Sequence, residues 1–192
     1  RDVTPPAGHP STLVKLLALR GPLSVDQLID VLWPDTDVET GRARLRNTLN
    51  RLRTRSGPLV ERRGDVIELS PTVHTDVEVF ERLAAAALAA EPEQRLGLGR
   101  QAISACAGPL LPGDTFEDWA AAPRERLLRR YLSLVDLVAD AADATGNHDE
   151  VARLLDLGID ADPLDEQRYV RLARLLATHG RATAARQVAE RG

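Results

Sequence analysis

The stretch GRARLRNTLNRLRTRSG, residues 41–57, combines a regular leucine spacing with a dense set of arginines. Leu45, Leu49 and Leu52 recur at the spacing of one face of an α-helix. A helix with a single apolar face must bury that face against other elements, so the segment belongs to a small packed unit. With about 100° of rotation per residue, the opposite face is centred on Ala43, Asn47, Asn50 and Thr54, flanked by Arg46 and Arg51.

The elements around this helix predict a winged helix-turn-helix in residues 1–70. Leucines at helical spacing indicate a first helix, which a Gly-Pro pair ends. Ser24, with Gln27 three residues later, forms a capping-box pattern at the start of a second helix. Two β-prone runs around Gly64-Asp65 in LVERRGDVIEL indicate a hairpin. The predicted helix bounds are Ser11 to Arg20, Ser24 to Trp33, and Asp37 or Thr40 to about Gly57.

Residues 75–192 carry helical patterns almost without interruption, and these patterns have a period of 34 residues. Gly146 and Gly180 are one period apart, and Ala139 and Ala173 repeat with the same spacing. This spacing resembles a tetratricopeptide repeat, and a generic alanine-rich helical bundle is the alternative. The predicted helices are Asp76 to Ala90, Pro92 to Cys106, Asp118 to Ala144, His148 to Ala161, Pro163 to Thr178, and Ala182 to the end. The predicted fold class is therefore mainly α, with a small β-hairpin wing followed by tetratricopeptide-like helices.

Charge is distributed unevenly along the chain. The formal net charge is -4, whereas residues 37–63 hold eight Arg against three acidic residues. The arginines lack the acidic partners four residues away that a surface helix usually carries, which favours an anionic partner over exposure to water alone. In a major groove, Asn pairs with adenine and Arg with guanine. The sequence therefore predicts that this helix binds double-stranded DNA.

Three groups of side chains make up the predicted DNA contacts. Those on the outward face of the helix read bases, those nearer its core boundary reach phosphates, and the two arginines beside the hairpin turn grip a phosphate or an adjacent minor groove. The arginines near the core boundary are Arg42, Arg44, Arg53 and Arg55. The predicted set of contact residues is Arg42, Arg46, Asn47, Asn50, Arg51, Thr54, Arg62 and Arg63.

Several segments resemble the Streptomyces antibiotic regulatory protein (SARP) family of actinobacteria. In the first part of the chain these are SVDQLIDVLWPD, then TGRARLRNTLNRLRTRSG, then the hairpin with HTDVEVFERL. Further on, LGIDADPLDEQRYVRLARLLATHGRATAA is similar to the last repeats of that family's activation domain. The resemblance covers nearly the whole chain. It implies an OmpR-type winged helix joined to a bacterial transcriptional activation domain of tetratricopeptide-like helices.

The resemblance also implies a function. Proteins of this kind are transcriptional activators that bind direct repeats upstream of a promoter, and their activation domain contacts RNA polymerase and helps to form a homodimer. Family base contacts fall on the third helix, here Arg46, Asn47, Asn50 and Arg51, with the wing at Arg62 and Arg63. OmpR-type domains begin with a small sheet, so we expect those strands upstream of residue 1 and their end in RDVTPP. A fragment of a larger multidomain regulator fits this pattern.

Other classes of function find little support in the residues. No apolar run approaches the ~20 residues of a membrane-spanning helix, and no signal-peptide pattern is present, so we expect a cytoplasmic protein without a membrane partner. The four histidines are scattered and no phosphate-binding loop occurs, so no catalysis, cofactor or metal is expected. The alternative is an interaction module of a larger signalling protein, with a degenerate winged helix. Residues 71–192 hold 14 basic and 20 acidic residues, a net charge of 14 − 20 = −6, which suits protein contact.

Overall fold

A computed structural model describes residues 4–106 and 108–192, which form two compact units. The first unit spans the residues up to Glu78 together with Asp114–Pro123, and the second comprises Val79–Gly113 and Arg124–Gly192. Residues 1–3, where the end of a strand was expected, lie outside the described part. The predicted fold class is confirmed, because the chain is mainly helical and has a small antiparallel sheet that fits a hairpin wing.

Within residues 4–69, the first unit contains three helices and a three-stranded antiparallel sheet in the order β1-β3-β2. The hairpin around Gly64-Asp65 is present as predicted, whereas β1 is an addition that the sequence pattern did not indicate. Its Leu23 pairs with Ile67 of the hairpin. The elements are α1 (His9–Arg20), β1 (Leu23–Ser24), α2 (Val25–Leu32), α3 (Val38–Ser56), β2 (Val60–Arg63) and β3 (Val66–Leu69).

Side-chain caps fix where α2 and α3 begin. The Ser24 hydroxyl accepts a hydrogen bond from the backbone N–H of Gln27 at 3.2 Å, and the Gln27 side chain accepts one from the Ser24 N–H at 2.9 Å. This is the predicted capping box. At α3, Asp37 accepts from the N–H of Thr40 at 3.0 Å, so the helix starts at the first of the two predicted positions. The hydrogen bonds from Thr40 lower the pKa of the Asp37 carboxyl.

Leucines from all three helices form the core of the first unit. The close approach of α2 and α3 depends on Gly41, because a Cβ there would lie 2.5 Å from Cγ2 of Ile29. The most completely buried large side chains of this unit are Leu13, Leu16, Leu28, Leu45, Leu52 and Ile67.

Helices occupy most of the chain after the hairpin. They are α4 (Asp76–Ala89), α5 (Pro92–Ala105), α6 (Asp118–Ala144), α7 (His148–Ala161), α8 (Glu166–Thr178) and α9 (Ala182–Arg191). The bounds of α6 and α7 match the prediction. The predicted start of α8 at Pro163 is three residues too early, because the Asp165 side chain accepts from the N–H of Gln167 at 3.0 Å and caps the helix there.

The 34-residue period of the sequence reappears in the hydrogen bonds that end α6 and α8. Gly146 and Gly180 both have positive φ, +71° and +75°, which an L-side chain rarely adopts. After the first glycine, the N–H of Asn147 donates to the carbonyl five residues earlier at 3.0 Å, and Arg181 does the same at 2.9 Å after the second. The two helix ends are therefore structural equivalents, as tetratricopeptide-like repeats require. Within the described residues, no helix is both long enough and apolar enough to cross a membrane.

Candidate nucleic-acid interface

The buried side of α3 lies close to where its leucine spacing places it. Gly41, Leu45, Thr48 and Leu52 are buried. Leu49, which was expected in the core, is only half-buried. The helix is therefore rotated slightly towards Thr48, a polar residue that a search for apolar spacing could not select.

Five of the predicted contact residues share the outward face of α3. All five are exposed: Arg46, Asn47, Asn50, Arg51 and Thr54. Across the described part of the chain, no hydrogen bond or ion pair holds the side chains of Arg46, Asn47 or Arg51. The Thr54 hydroxyl donates to the Asn50 carbonyl oxygen one turn earlier at 2.8 Å. The outward face of α3 therefore presents charged and amide groups whose hydrogen-bonding capacity is available to a ligand.

Two further arginines of α3 bind within the first unit. Arg42 forms an ion pair with Asp26 of α2 at 3.3 Å, and both side chains are more than half exposed. Arg44 donates to the Thr36 hydroxyl at 2.9 Å. An exposed ion pair such as that of Arg42 contributes only about 0–1 kcal/mol. The hydrogen bond of Arg44 is to a neutral hydroxyl, so an anionic ligand can compete for either side chain.

The two hairpin arginines point to opposite sides of the sheet. Arg62 pairs in register with Ile67, which is buried, whereas Arg63 pairs with Val66, which is exposed. Side chains alternate between the two faces along a strand, so Arg62 and Arg63 carry their charges on opposite faces of the sheet. The side chain of Arg62 donates to the carbonyl of Gly64 at 2.9 Å.

Carboxylates partly neutralise the second hairpin arginine. Nε of Arg63 lies 2.9 Å from the Glu68 carboxylate, and one terminal nitrogen lies 3.5 Å from that of Glu61. Glu61 and Glu68 are opposite each other in the strand register. The sequence did not indicate this cluster, because it depends on how the two strands pair. Of the two predicted wing contacts, Arg62 is therefore the better placed to meet an anion.

A segment far along the sequence packs into the first unit. Lys15 of α1 forms an ion pair with Asp114 at 2.6 Å. Arg20 donates to the carbonyl oxygen of Trp119 at 3.2 Å, and the Trp119 ring is buried. The predicted domains, 1–70 and 75–192, did not assign this segment to the first unit. No local pattern signals a contact between residues about a hundred positions apart.

Ion pairs link the helices of the second unit. Glu150 of α7 accepts from Arg100 of α5 at 2.8 Å and from Arg153 of its own helix at 2.9 Å. The hydrogen bond from Arg153, with a further contribution from Arg100, lowers the pKa of the Glu150 carboxyl to about 2. Arg171 of α8 pairs with Asp140 of α6 at 2.8 Å. These contacts fix the helices relative to one another.

Two of the four histidines meet at equivalent turns of the repeats. The rings of His148 and His179 lie 4.0 Å apart between centroids, although the sequence suggested only scattered histidines. One ring nitrogen of His179 lies 2.8 Å from the Leu175 carbonyl oxygen. In residues 4–106 and 108–192, no group of three or more His, Cys, Asp or Glu side chains is placed to hold a metal ion.

These features define a protein that joins a small helix-and-hairpin unit, with an exposed basic helix, to an acidic helical-repeat region. Residues 75–191 match the family model of the bacterial transcriptional activator domain. The match covers more than half of the chain, so the chain belongs to this family of transcription regulators, as the resemblance to SARP-like bacterial activators implied. No curated protein matches the chain.

Proposed function

We propose that the chain is a DNA-binding transcriptional activator whose first unit is a winged helix and whose α3 lies in the major groove. The observation that carries this proposal is the set of exposed side chains on the outward face of α3. Arg46, Asn47 and Arg51 are exposed and have no partner among the described residues. Arginine and asparagine are the residues that pair at two points with guanine and adenine.

The dimensions of α3 suit this placement. A helix with its side chains is about 10–12 Å across, and the major groove is about 12 Å wide. The centre of the outward face carries Ala43, whose small side chain allows the backbone to approach the base edges. Arg62 of the hairpin is exposed beside the turn, which suits a phosphate contact next to the groove.

We propose that the acidic region from residue 71 onward binds other proteins. Its net charge of −6, from 14 basic and 20 acidic residues, disfavours DNA contact and suits a partner of opposite charge. Within this proposal, that region contacts RNA polymerase and supports a homodimer bound to direct repeats upstream of a promoter. The protein acts in the cytoplasm of an actinobacterium by binding alone, without catalysis, cofactor or metal.

Replacing Arg46 and Arg51 together by Ala tests the proposal. The probe is a duplex selected from a random library by the full chain. Two lost base contacts, each worth about 1–3 kcal/mol, should weaken binding by at least about thirtyfold. Wild-type binding should also weaken steeply as salt rises, because phosphate contacts release counterions.

The control is the double variant R174A/R186A, which removes two exposed positive charges from the second unit. It should bind within about threefold of wild type if the effect is local to α3 and not due to net charge. Duplex binding that survives R46A/R51A at moderate salt would contradict the proposal. The alternative is then favoured, in which the repeats bind a protein partner and the winged helix is degenerate.

A further inference from the structure

Phe116 is the most exposed large apolar side chain in the described part of the chain. Its side chain is 98% exposed, in the segment PGDTFEDW, residues 112–119, which leads into α6. A single exposed aliphatic residue needs no explanation. A phenylalanine ring, in contrast, removes about 150–250 Å² of surface from water when it is buried. Full exposure of this ring therefore leaves a large favourable burial available to a partner.

The segment that carries Phe116 is fixed to the first unit on both sides of the ring. Before it, the Asp114 carboxylate pairs with Lys15 of α1 at 2.6 Å. After it, Trp119 is buried, and its carbonyl oxygen accepts from Arg20 at 3.2 Å. The backbone around the ring is therefore held in place before any partner binds.

Glu117 closes a turn across Phe116. Its backbone N–H donates to the carbonyl oxygen of Asp114 at 3.1 Å, and its carboxylate accepts from the indole N–H of Trp119 at 2.9 Å. A side chain presented on an ordered turn loses less conformational entropy when it binds than one on a free loop. The turn therefore presents the ring in a form suited to binding.

Carboxylates determine the charge around the ring. Residues 113–118 hold three acidic residues and no basic one. Asp114 is paired with Lys15, whereas Glu117 and Asp118 are exposed on the side that follows Phe116. Complementary charge favours encounter and correct orientation at an interface. A surface that receives this ring is therefore expected to offer an apolar pocket with a basic rim.

We infer that Phe116 anchors the contact with RNA polymerase, its ring entering an apolar pocket with a basic rim on that enzyme. This inference rests on the proposed function, and it assigns the polymerase contact to a particular residue. Phe116 lies within residues 75–191, the part of the chain that matches the bacterial transcriptional activator domain. Aromatic side chains contribute much of the energy of protein interfaces, so one residue of this kind has a measurable effect.

The test compares Phe116→Ala with Leu164→Ala, a matched control whose side chain is 90% exposed in the turn before α8. The probe is the RNA polymerase holoenzyme of the same organism, titrated with the labelled full chain. F116A should bind it at least about tenfold more weakly, the effect expected for a fully buried phenylalanine. L164A should stay within about twofold of wild type. Both variants should keep the wild-type thermal midpoint and the wild-type affinity for the selected duplex.

The double variant E117Q/D118N tests the charge on the rim. The amide oxygen that replaces the Glu117 carboxylate can still accept from the Trp119 indole, so the turn is kept. Holoenzyme binding by wild type should weaken as salt rises, and E117Q/D118N should flatten that dependence. The control is E91Q/E93Q, which removes two exposed carboxylates from the start of α5 and should leave the salt dependence unchanged.

Three outcomes would overturn the inference. F116A could bind the holoenzyme like wild type, L164A could lose as much affinity as F116A, or F116A could lose only self-association in sedimentation equilibrium, which would place the pocket on a second copy of the chain. Each leaves the DNA-binding proposal intact, because R46A/R51A tests that on the duplex alone. A wild-type chain without affinity for the holoenzyme overturns the inference together with the polymerase contact of the proposed function.

Discussion

The guanidinium of Arg168 in α8 meets the carboxylate of Asp136 in α6 at two points, with Nε 3.2 Å from Oδ1 and Nη2 2.7 Å from Oδ2. Its third nitrogen donates to Asp165 at 2.6 Å. The Arg168 side chain is 9% exposed, whereas that of Asp136 is 41% exposed. The nearly buried guanidinium is therefore held by one carboxylate from α6 and by a second from Asp165, the residue that caps α8.

Replacing Arg168 by Ala should destabilise the chain by about 2–3 kcal/mol. The change removes charge-assisted hydrogen bonds, which are worth about 1.5–3 kcal/mol, and leaves two carboxylates without their cation. The measurement is urea unfolding followed by helical circular dichroism. Arg174→Ala on the same helix is the control, because exposed substitutions usually change stability by less than about 0.5 kcal/mol. Equal midpoints for the two variants would show that the pairs contribute nothing.

Two glycines of α5 should respond in opposite ways to alanine. A Cβ at Gly99 would lie 2.1 Å from Cγ2 of Val138, whereas a Cβ at Gly97 would meet nothing within 4 Å. Gly99→Ala should therefore cost about 1–3 kcal/mol, because the core must shift to admit the methyl group. Gly97→Ala should stabilise by about 0.5–1 kcal/mol through helix propensity alone.

Thermal unfolding of the two variants beside wild type checks this pair. Both glycines lie in α5, two residues apart. The two variants therefore differ mainly in what the added methyl group meets. A similar melting temperature in both variants would mean that the contact between α5 and α6 adapts without cost.

Local signals in the sequence account for much of the fold. The capping box of Ser24 and Gln27, the Gly64-Asp65 turn and the positive-φ glycines depend on neighbouring residues, and their predicted positions agree with the structure. The period of the repeats was predictable because the same residue types recur in the sequence at a fixed spacing of 34 residues.

Features that depend on distant residues were not predictable. β1 is two residues long and exists because Leu23 and its neighbour pair with the hairpin. No apolar pattern in the sequence indicates that Arg168 is buried, and its partner Asp136 is 32 positions away. At the candidate interface, the outward face of α3 followed from leucine spacing. The neutralisation of Arg63 depends on strand register, which brings Glu68 beside it.

The Glu150 carboxylate should make stability depend on pH below the usual range of a glutamate. Its pKa in the folded chain is about 2, lowered from 4.5 mainly by Arg153 and then by Arg100. Because the folded pKa is depressed, the stabilisation is fully present above about pH 4.5 and is lost as pH falls towards 2. The Glu150 side chain is only 11% exposed. We therefore expect this pKa shift to add about 2 kcal/mol to the free energy of unfolding at pH 7.

Glu150→Gln isolates that contribution. The difference in unfolding free energy between wild type and the variant should be constant from pH 7 to 5 and should shrink as pH falls from 4.5. Glu166→Gln, an exposed first-turn change on α8, is the control and should show little of this dependence. A difference that stays the same down to pH 2.5 would mean that the arginines do not hold the carboxylate in its charged form.

Asn47 and Asn50 should determine sequence preference more than overall affinity. Asparagine pairs with adenine at two points, worth about 1–3 kcal/mol of discrimination for each base pair. Asn47→Ala and Asn50→Ala should therefore each relax the preference at an adenine position of the selected duplex, while binding to unrelated duplexes stays unchanged. Gln187→Ala, which removes an exposed amide from α9, is the matched variant and should leave the preference unchanged. Library selection with each variant measures the preference position by position, and an unaltered profile for both Asn variants would remove them from the base-reading set.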